Sequence, residues 1–226
     1  MKRKIVTTGD GSTTIQLTEW NEQYHSMHGA VQEAEHVFVK MGLEHRMLIP
    51  DLPSPLNILE MGLGTGLNVL VTLQKHRELH HPIAYTGIEA YPVSKEEWQQ
   101  LNYLDQMNAA GLKEAFVHLH QAPWEASFTL QPGFTMIKLQ QRFEQLRTVE
   151  HFDLIYFDAF GARVQPELWT VEIFQNLYQM TNVQGVLVTY SAKGSVRRAL
   201  QEVGYTVERL QGPPGKREML RATKSA

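Results

Sequence analysis

An α/β fold built on a mostly parallel, doubly wound sheet is what this 226-residue sequence predicts, and three observations predict it. Apolar runs of strand length alternate with amphipathic runs of helix length from Leu56 onward. A glycine-rich turn, Gly62-Leu-Gly64-Thr-Gly66, stands where the first of those strands gives way to a helix. Two short strands close the chain with no helix between them, which makes them an antiparallel pair.

The elements follow in order. Ile5-Val-Thr-Thr8 and Thr13-Thr-Ile-Gln-Leu17 flank Gly9-Asp10-Gly11, the composition of an N-terminal hairpin. Ala30 to Met41 places Val31, Ala34, Val37, Phe38 and Met41 at helical spacing, with Gln32, Glu33, Glu35 and His36 mostly on other faces, and Gly42 suits the helix end. Pro50, Pro53 and Pro55 make a non-helical approach to the next element. Leu56 to Met61 reads as a buried strand, Gly66 to Arg77 as a helix and Ile83 to Glu89 as a second strand. Ser94 opens a helix through about Met107, with Glu96 and Glu97 in a first turn that favours acids. Ala126 to Leu130 and Phe134 to Leu139 form a hairpin about Gln131-Pro-Gly133, and a short helix follows near Arg142. Phe152 to Phe157 is a strongly apolar strand ending at Asp158. A helix over Glu167 to Met180, a strand over Gly185 to Tyr190 and a helix over Val196 to Val203 lead to the closing strands Tyr205 to Leu210 and Arg217 to Leu220.

Composition bounds the chemistry. With no cysteine, there is no disulfide, thiolate nucleophile or cysteine-ligated metal, which excludes methylation of a pyrimidine carbon through a cysteine adduct. The ten histidines form no H-E-x-x-H or convergent pattern, so no metal site is expected. The apolar stretch Ile58 to Leu73 is broken by Glu60 and by glycines and falls short of the roughly 20 residues of a membrane span. The basic start, Met1 to Lys4, runs into the polar, glycine-rich Thr7 to Thr14 rather than a signal-peptide core, so a soluble cytoplasmic protein is expected. The net charge of −3 conceals a polarity: residues 193–226 carry +5 and the remainder −8.

The glycine turn carries the cofactor argument. Dinucleotide sites use G-x-G-x-x-G with the helix N-terminus facing a pyrophosphate. Here the pattern is G-x-G-x-G, preceded by Glu60 and followed by Asn68. An acid two residues before the first glycine would repel a pyrophosphate and would suit a ligand with an ammonium and no phosphate, such as S-adenosylmethionine. Glu89 ends the second strand, where a carboxylate accepts hydrogen bonds from ribose hydroxyls.

Asp158-Ala-Phe160 lies at the carboxyl end of the next strand, where open α/β sheets bind ligands. Pro166 favours a helix beginning near it, too far along for Asp158 to serve as the cap. An alkylamine acceptor, with a pKa of about 10, arrives protonated, and a carboxylate would attract and orient it for in-line attack on a methyl carbon. Lys193, Arg197 and Arg198 at helical spacing, with Lys216 and Arg217 on the last hairpin, read either as phosphate contacts to RNA or as a solvated face. Phe160, Trp169 and Tyr190 read as base-stacking residues or as core, with core the reading for Trp169. On these residues alone, four readings stand: an amine methyltransferase acting on RNA, a small-molecule amine methyl- or aminopropyltransferase, a non-catalytic RNA-binding protein with a cofactor fold, and a nicotinamide oxidoreductase.

Leu59 to Asn68, Ile88-Glu-Ala-Tyr-Pro92, Phe157 to Gly161 with Pro166 to Thr170, Ser195 to Gly204 and Gly215-Lys-Arg-Glu-Met-Leu220 together resemble the MnmC methyltransferase family, as do Tyr24-His-Ser26 and Glu33 with Val37-Phe38. The resemblance implies a Rossmann-like class I methyltransferase domain over 51–226, with a seven-stranded sheet and an N-terminal hairpin and helix extension over 1–50. It implies methyl transfer from S-adenosylmethionine to 5-aminomethyl-(2-thio)uridine at the tRNA wobble position. Cofactor contacts would fall to Glu60, Gly62, Gly64, Gly66, Asn68 and Glu89, the catalytic or amine-binding role to Asp158, and a lid to Tyr24 to His28. Bifunctional members add an FAD-dependent oxidase domain for which 226 residues leave no room, so a separate enzyme that makes or exposes the aminomethyl group is the expected partner. Where related sequences carry an acid after the third sheet strand, near the adenine, this chain has Gln140-Gln141.

Overall fold

The computed structural model describes residues 2–225. Its main sheet has eight strands in the order β10-β11-β9-β8-β4-β5-β7-β6. They are β4 (Leu56–Met61), β5 (Ile83–Ile88), β6 (Ser127–Gln131), β7 (Phe134–Leu139), β8 (Phe152–Phe157), β9 (Thr181–Thr189), β10 (Thr206–Gln211) and β11 (Glu218–Thr223). β9, β8, β4, β5 and β7 run parallel, whereas β6 pairs antiparallel with β7, and β11 with both β9 and β10. The expected C-terminal hairpin is therefore present. There is one strand more than the seven the resemblance implies: the Ser127–Gln131 arm, expected as a hairpin partner of β7, extends the sheet beyond it.

The strands are apolar on both faces because both are covered. Ile58, Leu154, Tyr156, Val186 and Val188 face one core, and their chain neighbours Leu59, Ile155, Phe157 and Leu187 face the other. The first core is closed by α3 (Leu67–Leu79), α6 (Lys113–Gln121) and the N-terminal helical segment; the second by α7 (Val171–Met180) and α8 (Gly194–Glu202). α6 has no counterpart in the sequence reading. It buries only Phe116 and Leu119, too few apolar positions to stand out among its lysine, glutamate and histidines.

Three expectations change. The helix expected to end at Gly42 continues from α1 (Ala30–Ala34) through a wider, π-wound stretch, Glu35–Glu44, into α2 (His45–Met47). Gly42 serves instead as a point of close approach: a Cβ there would lie 2.9 Å from Val188 Cγ2. This segment packs on the sheet as part of the main core, although it falls within the N-terminal extension. The helix begun by Ser94 has the expected start, a capping box with Glu97, but splits into α4 (Lys95–Trp98) and α5 (Tyr103–Gln106). Asn102 leaves helical geometry at the break, where its side chain accepts from Thr13 N (2.7 Å) and donates to Gly11 O (2.9 Å). It thereby hooks the N-terminal sheet, β1 (Arg3–Thr7), β2 (Thr13–Leu17) and the short β3 (Glu22–Gln23), onto the body. Among the described residues, no helix is long and apolar enough to cross a membrane.

Candidate active site

The chain lays β4, β5 and β7 to one side and β8 and β9 to the other, so connections diverge between β4 and β8, the place where open α/β sheets form a crevice. A cleft of about 1030 Å³ opens there. Gly62, Gly64, Asn68, Glu89, Asp158, Phe160 and Lys216, all predicted from sequence, line it. So do residues that the sequence did not mark as site residues, among them Arg3, Trp20, Glu22, Glu33, Tyr91 and Phe143.

The glycine loop is built for a tight return. Gly62 N and Leu63 N both donate to Ile88 O, at 3.0 and 2.9 Å, and bind the loop to the end of β5. Gly62 has φ +99°, and a Cβ on it would sit 2.7 Å from Asp158 O. Glycine is therefore required on both conformational and steric grounds. Gly66, also at positive φ, caps α3 without lining the cleft. Glu89 Oε2 accepts from Gly64 N at 2.9 Å and Oε1 from Tyr91 N at 2.8 Å, so its carboxylate is fixed at the rim with lone pairs to spare.

Glu60 does not line the cleft. It is fully buried below the floor, its oxygens accepting from Asn68 Nδ2 and Tyr85 OH, each at 2.8 Å. Burial, reinforced by Asp158 and Glu89, pushes its carboxyl well above the usual carboxylate range. Asn68 Nδ2 also donates to Asp158 Oδ2 at 2.9 Å, so one amide bridges two carboxylates and brings Glu60 to the cleft only indirectly. Asn68 Oδ1 is buried without a partner among the described residues.

Asp158 follows β8, and its loop is pinned on three sides. Its N–H donates to Met61 O (3.0 Å), Tyr190 OH to Ala159 O (2.8 Å) and Trp169 Nε1 to Phe160 O (2.7 Å). Trp169 is buried against Phe157 and Phe174, the core position expected of it. The next helical turn begins at Pro166 and α7 is capped by Thr170, so Asp158 caps neither. Removal from water, with Glu33's charge adding to it, raises the Asp158 carboxyl to about 7 against the opposing pull of Asn68 and Lys216.

Lys216 departs from the reading of a surface phosphate contact. The Gly212–Gly215 turn directs it into the cleft, where Nζ pairs with Glu33 and lies 3.9 Å above the Tyr190 ring. Glu33, expected on a polar helix face, is buried instead, its other oxygen accepting from Ser26 N at 2.7 Å. Lys193, Arg198 and Arg217 are exposed outside the cleft, and Arg197 is half-buried, its Nε without a partner among the described residues. Gln140 and Gln141 do not line the cleft; Gln140 N donates to Glu125 at 2.8 Å.

The N-terminal sheet covers one side. Tyr24 lies on Gly64, which a Cβ would bring to 3.0 Å from its ring, and edge-on to Phe160 at 5.0 Å. Arg3 ties the sheet to Glu97 (3.0 Å) and Tyr91 O (2.7 Å) of the body, and Arg163 of the body reaches back to Glu22 (2.7 Å) and Trp20 O (3.1 Å) of the N-terminal segment.

A family model described as S-adenosyl-L-methionine-dependent methyltransferase matches residues 111–225. The chain is 29% identical over 222 residues to the tRNA 5-methylaminomethyl-2-thiouridine biosynthesis bifunctional protein MnmC of Burkholderia multivorans, covering 92% of this chain and 33% of that one. Its counterpart in Pseudomonas syringae is also 29% identical, covering 91% and 32%. The chain thus spans about a third of the length of the curated relatives it matches. The crystal structure of MnmC2 from Aquifex aeolicus shares its fold, with a TM-score of 0.78 at 23% identity, covering 100% of this chain and 71% of that one. Spermidine synthase from Thermotoga maritima shares it more loosely, at 0.57 and 17%, covering 99% and 68%. With just over half of its residues matched by the family model, the chain belongs to the S-adenosyl-L-methionine-dependent methyltransferases.

Proposed function

We propose that this methyltransferase acts on the primary amine of 5-aminomethyl-(2-thio)uridine at the tRNA wobble position, giving 5-methylaminomethyl-(2-thio)uridine. The observation that carries the reading is Asp158: a carboxylate held by Asn68, raised to about 7 and lining the same cleft as Phe160 and Tyr190. The names of the MnmC relatives support the substrate.

The residues present fit S-adenosylmethionine. Asn68, whose Oδ1 has no partner among the described residues, suits its ammonium, Glu89 its ribose diol, and the glycine turn accommodates a close ligand without phosphate. When bound, that cofactor supplies a methyl group on a sulfonium. Gly62, Gly64, Asn68 and Glu89 would hold it, with Gly66 shaping the turn and Glu60 acting through Asn68.

Asp158 does more here than an ordinary carboxylate could. An alkylammonium has a pKa of about 10, so a carboxyl near 4 faces a gap of about 6 pH units, whereas one near 7 faces about 3, easing proton transfer by about 4 kcal/mol. Asp158 attracts the ammonium, accepts one proton from it and leaves the nitrogen lone pair free for in-line attack. Phe160 and Tyr190 offer ring surfaces to the base and its amine. Tyr24 to His28, folded over Gly64, serves as a lid. Lys193, Arg197, Arg198 and Arg217 would meet tRNA phosphates outside the cleft. An earlier activity must leave the aminomethyl group free, and the setting is the cytoplasm, where tRNA is found.

The test is transfer of labelled methyl from S-adenosylmethionine to tRNA bearing 5-aminomethyluridine, with the product identified by mass spectrometry. The methylaminomethyl nucleoside is the expected product, formed at a rate that falls steeply with salt. Transfer to a small amine, with no salt dependence and no tRNA product, would overturn the substrate assignment.

A further inference from the structure

Behind Asp158 lies a second charged group that methyl transfer as described does not use. Glu33 from α1 and Lys216 from the β10–β11 turn are 183 residues apart in the chain, yet their side chains meet at the cleft wall. Glu33 is only 6% exposed. Lys216 Nζ sits 3.9 Å above the Tyr190 ring, whose hydroxyl is committed to Ala159 O. A carboxylate and an aromatic face around an alkylammonium are the chemistry that recognises a primary amine. The acceptor amine, once protonated, is the same chemical group as the lysine head that occupies this place.

We infer that Glu33 and the Tyr190 face are a second half of the acceptor-amine site, and that Lys216 is its resident cation, displaced when the acceptor's ammonium binds. The inference rests on the amine-methyltransferase reading and deepens it. It makes Glu33 and Lys216 positioning residues for the acceptor, with Asp158 receiving the proton. The charges around Asp158 are Glu60 from below through Asn68, Glu33 from α1 and Lys216 from the hairpin turn; Tyr190, at the end of β9, also sees Glu22 of the N-terminal sheet. The exchange conserves charge: the arriving ammonium takes the place of the Lys216 ammonium as the counterion of Glu33. Without the acceptor, Lys216 keeps Glu33 from being stranded as an uncompensated buried charge.

Three variants separate this role from a phosphate contact. Lys216→Met removes the competitor, so KM for tRNA bearing 5-aminomethyluridine should fall about tenfold, while affinity for unmodified tRNA and its salt dependence stay as they are. Glu33→Gln should lower kcat/KM on the aminomethyl tRNA by about 10- to 100-fold, with partial rescue by Glu33→Asp, and should not alter binding of S-adenosylhomocysteine or unmodified tRNA. If Lys216→Met instead weakens both tRNAs alike and reduces the salt slope by about one, Lys216 is a phosphate contact and the inference fails. Should wild-type protein not methylate the aminomethyl tRNA at all, the substrate reading fails, and a measurement without substrate decides this one. In a 13C NMR titration of the Asp158 carboxyl carbon, Glu33→Gln should shift the midpoint to lower pH and Lys216→Met to higher pH. Identical midpoints in the three proteins would overturn the inference whatever the substrate.

Discussion

Asp158→Asn should make the protein more stable and catalytically silent, and the gain in stability should depend on pH. The carboxyl titrates at an ordinary 3.8 in the unfolded chain and at about 7 in the fold. At 1.36 kcal/mol per pH unit that difference sets a ceiling of about 4 kcal/mol on the stability that an ionised Asp158 withholds. Asp158 is partly open to cleft water, and screening brings the expected figure to about 1–3 kcal/mol. The sign follows from the folded value lying above the unfolded one. Below pH 3.8 both states hold the proton and there is no penalty; it grows as pH rises and is complete above about 7, where the folded state also ionises. Asparagine carries no such penalty, and its side-chain oxygen can still accept from Asn68 Nδ2. Urea unfolding of both proteins should therefore show the variant ahead by a margin that widens by about 1–2 kcal/mol between about pH 5 and pH 8.5, with m unchanged. The same variant should bind S-adenosylhomocysteine normally and lose about 10²- to 10⁴-fold in kcat. A margin that is constant with pH, or that narrows as pH rises, would refute the claim that burial strains this carboxylate.

Three further perturbations probe the surroundings. Gly62→Ala forces a Cβ to within 2.7 Å of Asp158 O at a φ of +99°; it should cost about 1–3 kcal/mol in thermal stability and abolish calorimetric binding of S-adenosylhomocysteine. Asn68→Ala takes from Asp158 a hydrogen bond that holds its pKa down, so the acid limb of the kcat/KM profile should move from near pH 7 toward higher pH; an unmoved limb would show that the bridge does not reach the reacting carboxylate. Tyr24→Ala uncovers Gly64 and removes the edge contact to Phe160, and stopped-flow fluorescence should report S-adenosylhomocysteine leaving several-fold faster, with unchanged rates arguing against a lid.

The parts of the fold that were legible in the sequence are those whose signals are local. β4, β8 and the second half of β9 are buried on both faces, so apolar residues dominate both faces of each and need no partner to be recognised. Ser94 and Glu97 satisfy each other's backbone donors within one turn. The split between α4 and α5 was not legible, because Asn102 leaves the helix for partners in a hairpin 89 to 91 residues earlier. Gly42 misled for a related reason. A glycine ends helices when it adopts positive φ, but this one is small because Val188 lies against it, and nothing nearby in the sequence records that contact.

The candidate site divides along the same line, and the division explains which residues sequence reasoning reached. Gly62, Gly64, Glu89 and Asp158 each stand one to three residues beyond the carboxyl end of a parallel strand, so the alternation that predicts the strands also predicts that these residues converge. Glu33 and Lys216 obey no such rule. Glu33 reads as an ordinary helical acid until a turn from the far end of the chain sets an ammonium beside it, and Lys216 reads as a surface cation until the Gly212–Gly215 turn directs it inward. The basic excess of residues 193–226 is thus two things in space: Lys193, Arg198 and Arg217 face solvent, while Lys216 is spent on a buried acid. Counting charge along the chain cannot separate an RNA-facing lysine from one that holds the place of an amine, because the distinction lies in the counterion, and here the counterion comes from the opposite end of the sequence.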